Sequence, residues 1–116
     1  MANNIIHLEK DWQDTIQTHL PNTYTCNKLA GFYSLFSDAT RLKIIITLLL
    51  KEMCVNDLAN LLNINQTTIS HQLKILKSMG AVSSYRKNKF IFYSVDNTLI
   101  NSIMINGVDF ILKKAQ

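Results

Sequence analysis

Residues 54 to 80 read CVNDLANLLNINQTTISHQLKILKSMG, and the fold turns on how this stretch divides. Ile69, Leu73, Leu76 and Met79 recur at intervals of four, three and three, the spacing of one face of a helix. That face is expected to point inward, which turns Thr67, His71, Lys74 and Ser78 outward. Asn65 stands where a helix needs an N-cap acceptor, and Gly80 where it needs a left-handed C-terminal cap. Upstream, Asn56 can cap a shorter helix over Asp57 to Leu62, with Asp57 suited to the positive end of the helix dipole. Two short helices joined by a tight turn are therefore predicted within 55 to 80.

After Gly80 the rhythm changes. AVSSYRKNKFIFYSV is rich in β-branched and aromatic residues on both sides of Lys87-Asn88, and Asn tolerates the positive backbone angle of a hairpin turn. Strands are predicted over Ala81 to Arg86 and Lys89 to Val95. A helix, a turn, a helix and a basic hairpin together make a winged helix-turn-helix, in which the second helix fits the major groove of DNA and the hairpin lies along its backbone or minor groove. The outward residues suit that use: Gln66, Thr67, Thr68, Ser70, His71 and Gln72 offer amides, hydroxyls and an imidazole for base edges or phosphates, and Lys74, Arg86, Lys87 and Lys89 offer charge. A solvated helix face with no such role is more often filled with Glu and Lys.

Working outward, Ile5, Leu8, Trp12, Ile16 and Leu20 form one apolar stripe that Pro21 ends. A second helix is predicted from Thr23 to Phe36, with Leu29, Phe32, Tyr33 and Phe36 on its inner side. Ser37 and Asp38 can cap a third, Ala39 to about Lys51, whose RLKIIITLLL is apolar nearly all round and should be the central buried element. A last helix, Thr98 to Lys114, lines up Ile100, Ile103, Met104, Gly107, Val108 and Ile111. The expected fold is mainly α with a β-hairpin wing: one domain over 1–116, with an N-terminal dimerisation helix in 1–21, the helix-turn-helix in 55–80, the wing in 81–95 and a C-terminal dimerisation helix in 98–114. The terminal stripes have little interior to cover them in so small a chain, and a second copy would bury them.

Charge agrees with a polyanion partner. The chain of 116 residues carries a net charge of +4, yet no acidic residue lies between Asp57 and Asp96, where Lys74, Lys77, Arg86, Lys87 and Lys89 all fall. Such a block on an otherwise near-neutral chain favours phosphate through counterion release, although a basic block also describes a merely solvated face. No apolar run is long enough to span a bilayer and no signal segment opens the chain, so a soluble cytoplasmic protein is expected. Two cysteines are too few for a disulfide framework. With no Ser/His/Asp triad, paired carboxylates or phosphate loop, and three scattered glycines, an enzyme is not expected.

LFSDATR (35–41), EMCVNDL (52–58), TTISHQLKILKSMGAV (67–82) and FYSV (92–95), in this order and spacing, resemble the ArsR/SmtB family of bacterial metal-responsive repressors. The resemblance covers roughly residues 28 to 96. It implies a homodimer seated on an inverted-repeat operator in double-stranded DNA and released by an inducer. A rival from another class is a winged-helix interaction module that binds no DNA.

The resemblance also indicates where an inducer would sit. Arsenic- and cadmium-responsive members carry Cys-x-Cys where this chain has Cys54 and then Asn56, so a trigonal thiolate site is not expected. Zinc-type members pair the first cysteine with the aspartate three residues on, here Asp57, and complete the shell from the N-terminal arm, where His7 and His19 are available. Zinc or a related ion on Cys54, Asp57 and His7 or His19 is one reading. A thiol response through Cys26 and Cys54 is another, since a thiolate near a helix N-terminus is favoured. The family's second metal site, on the last helix, is read as lost: Asp96 and Asp109 remain, but no histidine follows His71.

Overall fold

The computed structural model describes residues 5–115, so residues 1–4 of the predicted N-terminal segment lie outside it. The chain divides after Phe32 into two compact units.

The first unit holds α1 (Lys10–His19) and all but the last residue of α2 (Thr23–Tyr33). The first helix is shorter than the stripe predicted: Ile5 and Leu8 precede it, Glu9 is extended at its N-cap, and Leu20 is extended at its C-cap. The Gln13 side chain donates to the Leu8 carbonyl at 2.7 Å, which ties the leading segment to the first turn. Asn22 accepts from the Thr25 N–H at 2.8 Å and so opens α2. Neither helix buries a side chain, and Trp12, Ile16, Leu20 and Leu29 all remain exposed.

The second unit begins with a 3₁₀ turn, Ser34–Phe36, followed by α3 (Ala39–Leu50), β1 (Met53–Cys54), α4 (Val55–Leu62), α5 (Gln66–Ser78), β2 (Ser83–Lys87), β3 (Phe90–Ser94) and α6 (Thr98–Ala115). Asp38 alone caps α3, accepting from Thr40 N–H at 3.2 Å, while the Ser37 hydroxyl turns back to the Ser34 carbonyl. Ile44, Ile45 and Leu48 of α3 form the centre of a core with Leu35, Leu58, Ile69, Leu73, Leu76, Val82, Val95 and Ile100. That helix is not buried all round, because Ile46 and Leu50 face outward. An apolar groove of about 430 Å³ lies along α3 and α6, lined by Leu42, Ile46, Met104, Val108 and Ile111 among others. Asn97 caps α6 through the N–H groups of Leu99 and Ile100.

Three expectations shift. A strand that the sequence does not announce, β1, joins the hairpin in an antiparallel sheet of order β1-β3-β2, with Cys54 opposite Phe92. The hairpin turn is Asn88-Lys89, one residue later than expected, because Lys87 pairs with Phe90 and leaves Asn88 to take the positive φ of 58°. Met79, expected inward, is exposed at the C-cap of α5. The helix stops there because Gly80 adopts φ +75°. Its N–H reaches the Lys77 carbonyl at 3.0 Å and the Ala81 N–H the Leu76 carbonyl at 2.8 Å, which is a Schellman closure. A Cβ on Gly80 would meet nothing within 4 Å, so Gly80→Ala costs only its left-handed conformation, about 1 to 2 kcal/mol. Thermal melting should read this as a clear drop in Tm with no change in secondary structure.

Candidate nucleic-acid interface

The interface is built on α4 and α5. The shorter helix begins two residues before its predicted start, with Cys54 at the N-cap position and no side-chain cap. Asn56 instead accepts a hydrogen bond from the Gln66 amide, so the residue read as a cap bridges the two helices at their N-terminal ends. The turn between them takes Asn63 into the left-handed region at φ 54°, and the Ile64 N–H closes on the Ala59 carbonyl at 3.0 Å. As expected, Asn65 caps α5 by accepting from the Thr67 N–H at 2.7 Å.

Ile69, Leu73 and Leu76 are fully buried, and the opposite face carries Thr67, Ser70, His71, Lys74 and Ser78, all exposed. Thr68 and Gln66 are exposed at its N-terminal turn. Gln72 is placed differently. It is half-buried on the flank toward α3, where its carbonyl accepts from Arg41 Nε at 3.0 Å and its amide donates to Asp38 Oδ2 at 3.2 Å.

The wing is fastened at several points. Lys77 Nζ donates to the Ser84 hydroxyl at 2.6 Å, joining the last turn of α5 to β2. Tyr85 stacks on Phe92 at 5.6 Å and donates its hydroxyl to Glu52 at 2.7 Å, across the width of the sheet. That bond to a carboxylate raises the phenol pKa above its ordinary value. Arg86, Lys87 and Lys89 stand exposed at the tip, with Lys89 Nζ 5.7 Å from the Phe90 ring. Among the described residues the ion pair found is Lys10–Asp14, so Lys74 and the three tip cations have no carboxylate partner. Their charge is free for an anion.

The candidate inducer residues are placed as follows. Cys54 is buried and Asp57 exposed in the first turn of α4. A cleft of about 290 Å³ beside Cys54 is lined by Asn56, Gln66, Lys89 and Tyr93 among others. Among the described residues no group of three or more His, Cys, Asp or Glu stands together as a metal cluster; Cys54 and Asp57 offer two donors, and a closed tetrahedral zinc shell needs four. His7 and His19 are exposed, with His19 Nδ1 2.8 Å from the Thr15 carbonyl. Cys26 is exposed, its thiol 3.5 Å from the Pro21 carbonyl, and it belongs to the first unit while Cys54 belongs to the second. Asp96 and Asp109 are both exposed. Sequence reasoning missed Asn56, Glu52, Asp38 and Arg41 as supports; each acts through a partner at least ten positions away, beyond the reach of periodicity.

Residues 38–84 match the family model described as bacterial regulatory protein, arsR family. The cadmium resistance transcriptional regulatory protein CadC of Listeria innocua is 39% identical over 83 residues, 71% of this chain and 70% of that one. The transcriptional repressor SmtB homolog of Synechocystis is 33% identical over 98 residues, 84% of this chain and 73% of that one. The fold matches the homodimeric winged helix-turn-helix DNA-binding domain of a Mycobacterium bovis protein with a TM-score of 0.68 and 23% identity, covering 78% of this chain and 83% of that one. These relatives are transcriptional regulators and not enzymes. No described helix is long and apolar enough to cross a membrane. With 39% identity to CadC across most of its length and a helix-turn-helix followed by a basic wing, the chain belongs to the ArsR/SmtB family of bacterial transcriptional repressors.

Proposed function

We propose that the chain represses transcription in the cytoplasm by binding an inverted-repeat operator as a homodimer, and that an inducer releases it. The observation that carries this reading is a single unit presenting the exposed polar face of α5 beside a hairpin whose cations have no carboxylate partner among the described residues. Helix α5 enters the major groove, where Thr67, Ser70 and His71 meet base edges and Lys74 a phosphate, while Arg86, Lys87 and Lys89 hold the backbone. The dimer rests on the exposed apolar residues Trp12, Ile16 and Leu20 of the first unit and Val108, Phe110 and Ile111 of α6. It would set the two recognition helices about 34 to 36 Å apart, one helical turn of DNA.

A thiophilic divalent ion is the inducer that the cadmium-resistance relative supports. Cys54 and Asp57 are the donors in the second unit, and His7 or His19 the further ones. Among the described residues no group of three or more such donors stands together, so the donors beyond Cys54 and Asp57 would come from a second copy. Cys54 is the donor best connected to the DNA-binding surface, since it starts α4 and pairs with Phe92 of the wing strand.

Fluorescence anisotropy on a duplex from upstream of its own gene tests both halves. Thr67→Ala with His71→Ala should reduce the preference for that duplex over a scrambled one, while Arg86→Ala should weaken both alike. Equal losses on all duplexes from both kinds of variant would sink the base-reading assignment. Stoichiometric zinc or cadmium should release wild type and not Cys54→Ser. An ion that changes nothing removes metal control and leaves the thiols of Cys26 and Cys54 as the sensing groups to test.

A further inference from the structure

Gln72 lies within the stretch of α5 that reads as a DNA surface, yet its amide is spent inside the protein. It accepts from Arg41 Nε at 3.0 Å and donates to Asp38 Oδ2 at 3.2 Å. The other oxygen of Asp38 accepts the Thr40 N–H at the start of α3, and Arg41 Nη1 donates to the Ser34 carbonyl at 3.3 Å. One polar network therefore joins the 3₁₀ turn, the N-terminus of α3 and the flank of the recognition helix.

We propose that Gln72 is a positioning residue, which through Arg41 and Asp38 fixes the rotation of α5 about its axis and so decides how Thr67, His71 and Lys74 meet the bases. The proposal rests on the DNA-reading assignment of α5. The buried face of that helix is Ile69, Leu73 and Leu76, and aliphatic burial is non-directional. A roll of about 20° at a side-chain radius of about 5 to 6 Å moves a side-chain tip by about 2 Å, a shift that apolar packing resists only through close contact and without a preferred bond direction. A hydrogen bond cannot absorb it, because its distances span only about 0.5 Å and its angle is restricted. Gln72 supplies two such bonds from one planar group, to partners on a different helix.

The donor and acceptor order makes the network testable by exchange. Arg41 donates to Gln72, Gln72 donates to Asp38, and Asp38 accepts again from Thr40 N–H. Asp38→Asn alone introduces a donor, and whichever way the two amides turn, one donor faces another. Gln72→Glu alone sets two carboxylates together. The double variant Asp38→Asn/Gln72→Glu satisfies every link again: Arg41 to Glu, Asn to Glu, and Thr40 N–H to Asn. It also leaves net charge unchanged, and Asn caps a helix as well as Asp does.

The measurement is the ratio of affinities for a duplex enriched by wild type from a randomised library and for a scrambled duplex, at one salt concentration, with a thermal melt of each variant. Each single variant should lower the ratio by about tenfold, the scale of one mismatched base pair, and the exchange pair should restore it. Gln72→Met keeps the side-chain shape, drops both bonds and adds no charge, so it should lower the ratio too. A folded Gln72→Met with the wild-type ratio overturns the proposal whether or not the exchange pair folds, as does a folded exchange pair that stays as poor as the singles. If wild type enriches no duplex at all, the DNA-reading assignment fails, and the positioning role falls with it.

Discussion

Ile69→Ala is expected to lower the unfolding free energy by about 2 to 5 kcal/mol, whereas His71→Ala, two residues away, should change it by less than about 0.5 kcal/mol. Ile69 is fully buried on α5, a helix that packs on α4. Truncation removes its methyl groups from that contact and leaves a cavity that the neighbouring Leu73 and Leu76 cannot close without moving the helix. His71 is exposed, on the side of α5 opposite the buried Ile69, Leu73 and Leu76. Against a typical domain stability of about 5 to 15 kcal/mol, the first change takes a large share and the second almost none. Urea unfolding followed by circular dichroism, at one fixed concentration because dimerisation would add to stability, reads the difference as a shift in midpoint at constant slope. Equal shifts for the two variants would mean that the inward and outward faces of α5 are wrongly assigned. The functional readout should invert: His71→Ala, fully folded, loses sequence preference.

That separation of faces is what periodicity reports well. The intervals of four and three through Ile69, Leu73 and Leu76 located the buried side of α5 correctly, and local chemistry located its ends at Asn65 and Gly80. The same interval overreached at Met79, because the left-handed Gly80 ends the helix before that residue completes its turn. It overreached again at Ile5 and Leu8, which have helical spacing but precede α1. Periodicity marks a face that asks to be covered without saying what covers it, so the stripes of α1 and α6 were legible, as was the lack of interior to cover them, while the division of the α6 stripe into a buried Ile100 and an exposed Val108 and Ile111 was not. Pairings across the chain were the least legible. Strand β1 is two residues whose partners, Tyr93 and Phe92, come some forty positions later, and Gln72 carries nothing in its own surroundings that points to Asp38 and Arg41. In the site, the exposed Thr67, Ser70, His71 and wing cations could be read from pattern and charge. The residues that orient them could not, because their bonds are tertiary.

Replacing Arg86, Lys87 and Lys89 together by Ala should flatten the salt dependence of DNA binding more than any other change outside the core. Each phosphate neutralised on duplex DNA contributes about 0.9 to the slope of log affinity against log salt. Three cations on each wing of a dimer then account for a slope of about 5, so that between about 50 and 200 mM salt wild type should lose roughly a thousandfold more affinity than the variant. The fold should survive, since all three side chains are exposed and none is held by a carboxylate among the described residues. The contact of Lys89 with Phe90 is worth only about 0.5 to 1 kcal/mol at an exposed site. Anisotropy titrations across that salt range separate the alternatives. An unchanged slope would take the wing off the phosphates altogether, and a change of half the expected size would mean that one wing engages rather than two. Because the loss is electrostatic, it should be equal on enriched and scrambled duplexes, the opposite signature to that of His71 and Gln72. With those outcomes the two surfaces of the unit would divide the work: the hairpin would set how strongly any duplex is held, and α5, in the rotation its flank imposes, which duplex is held best.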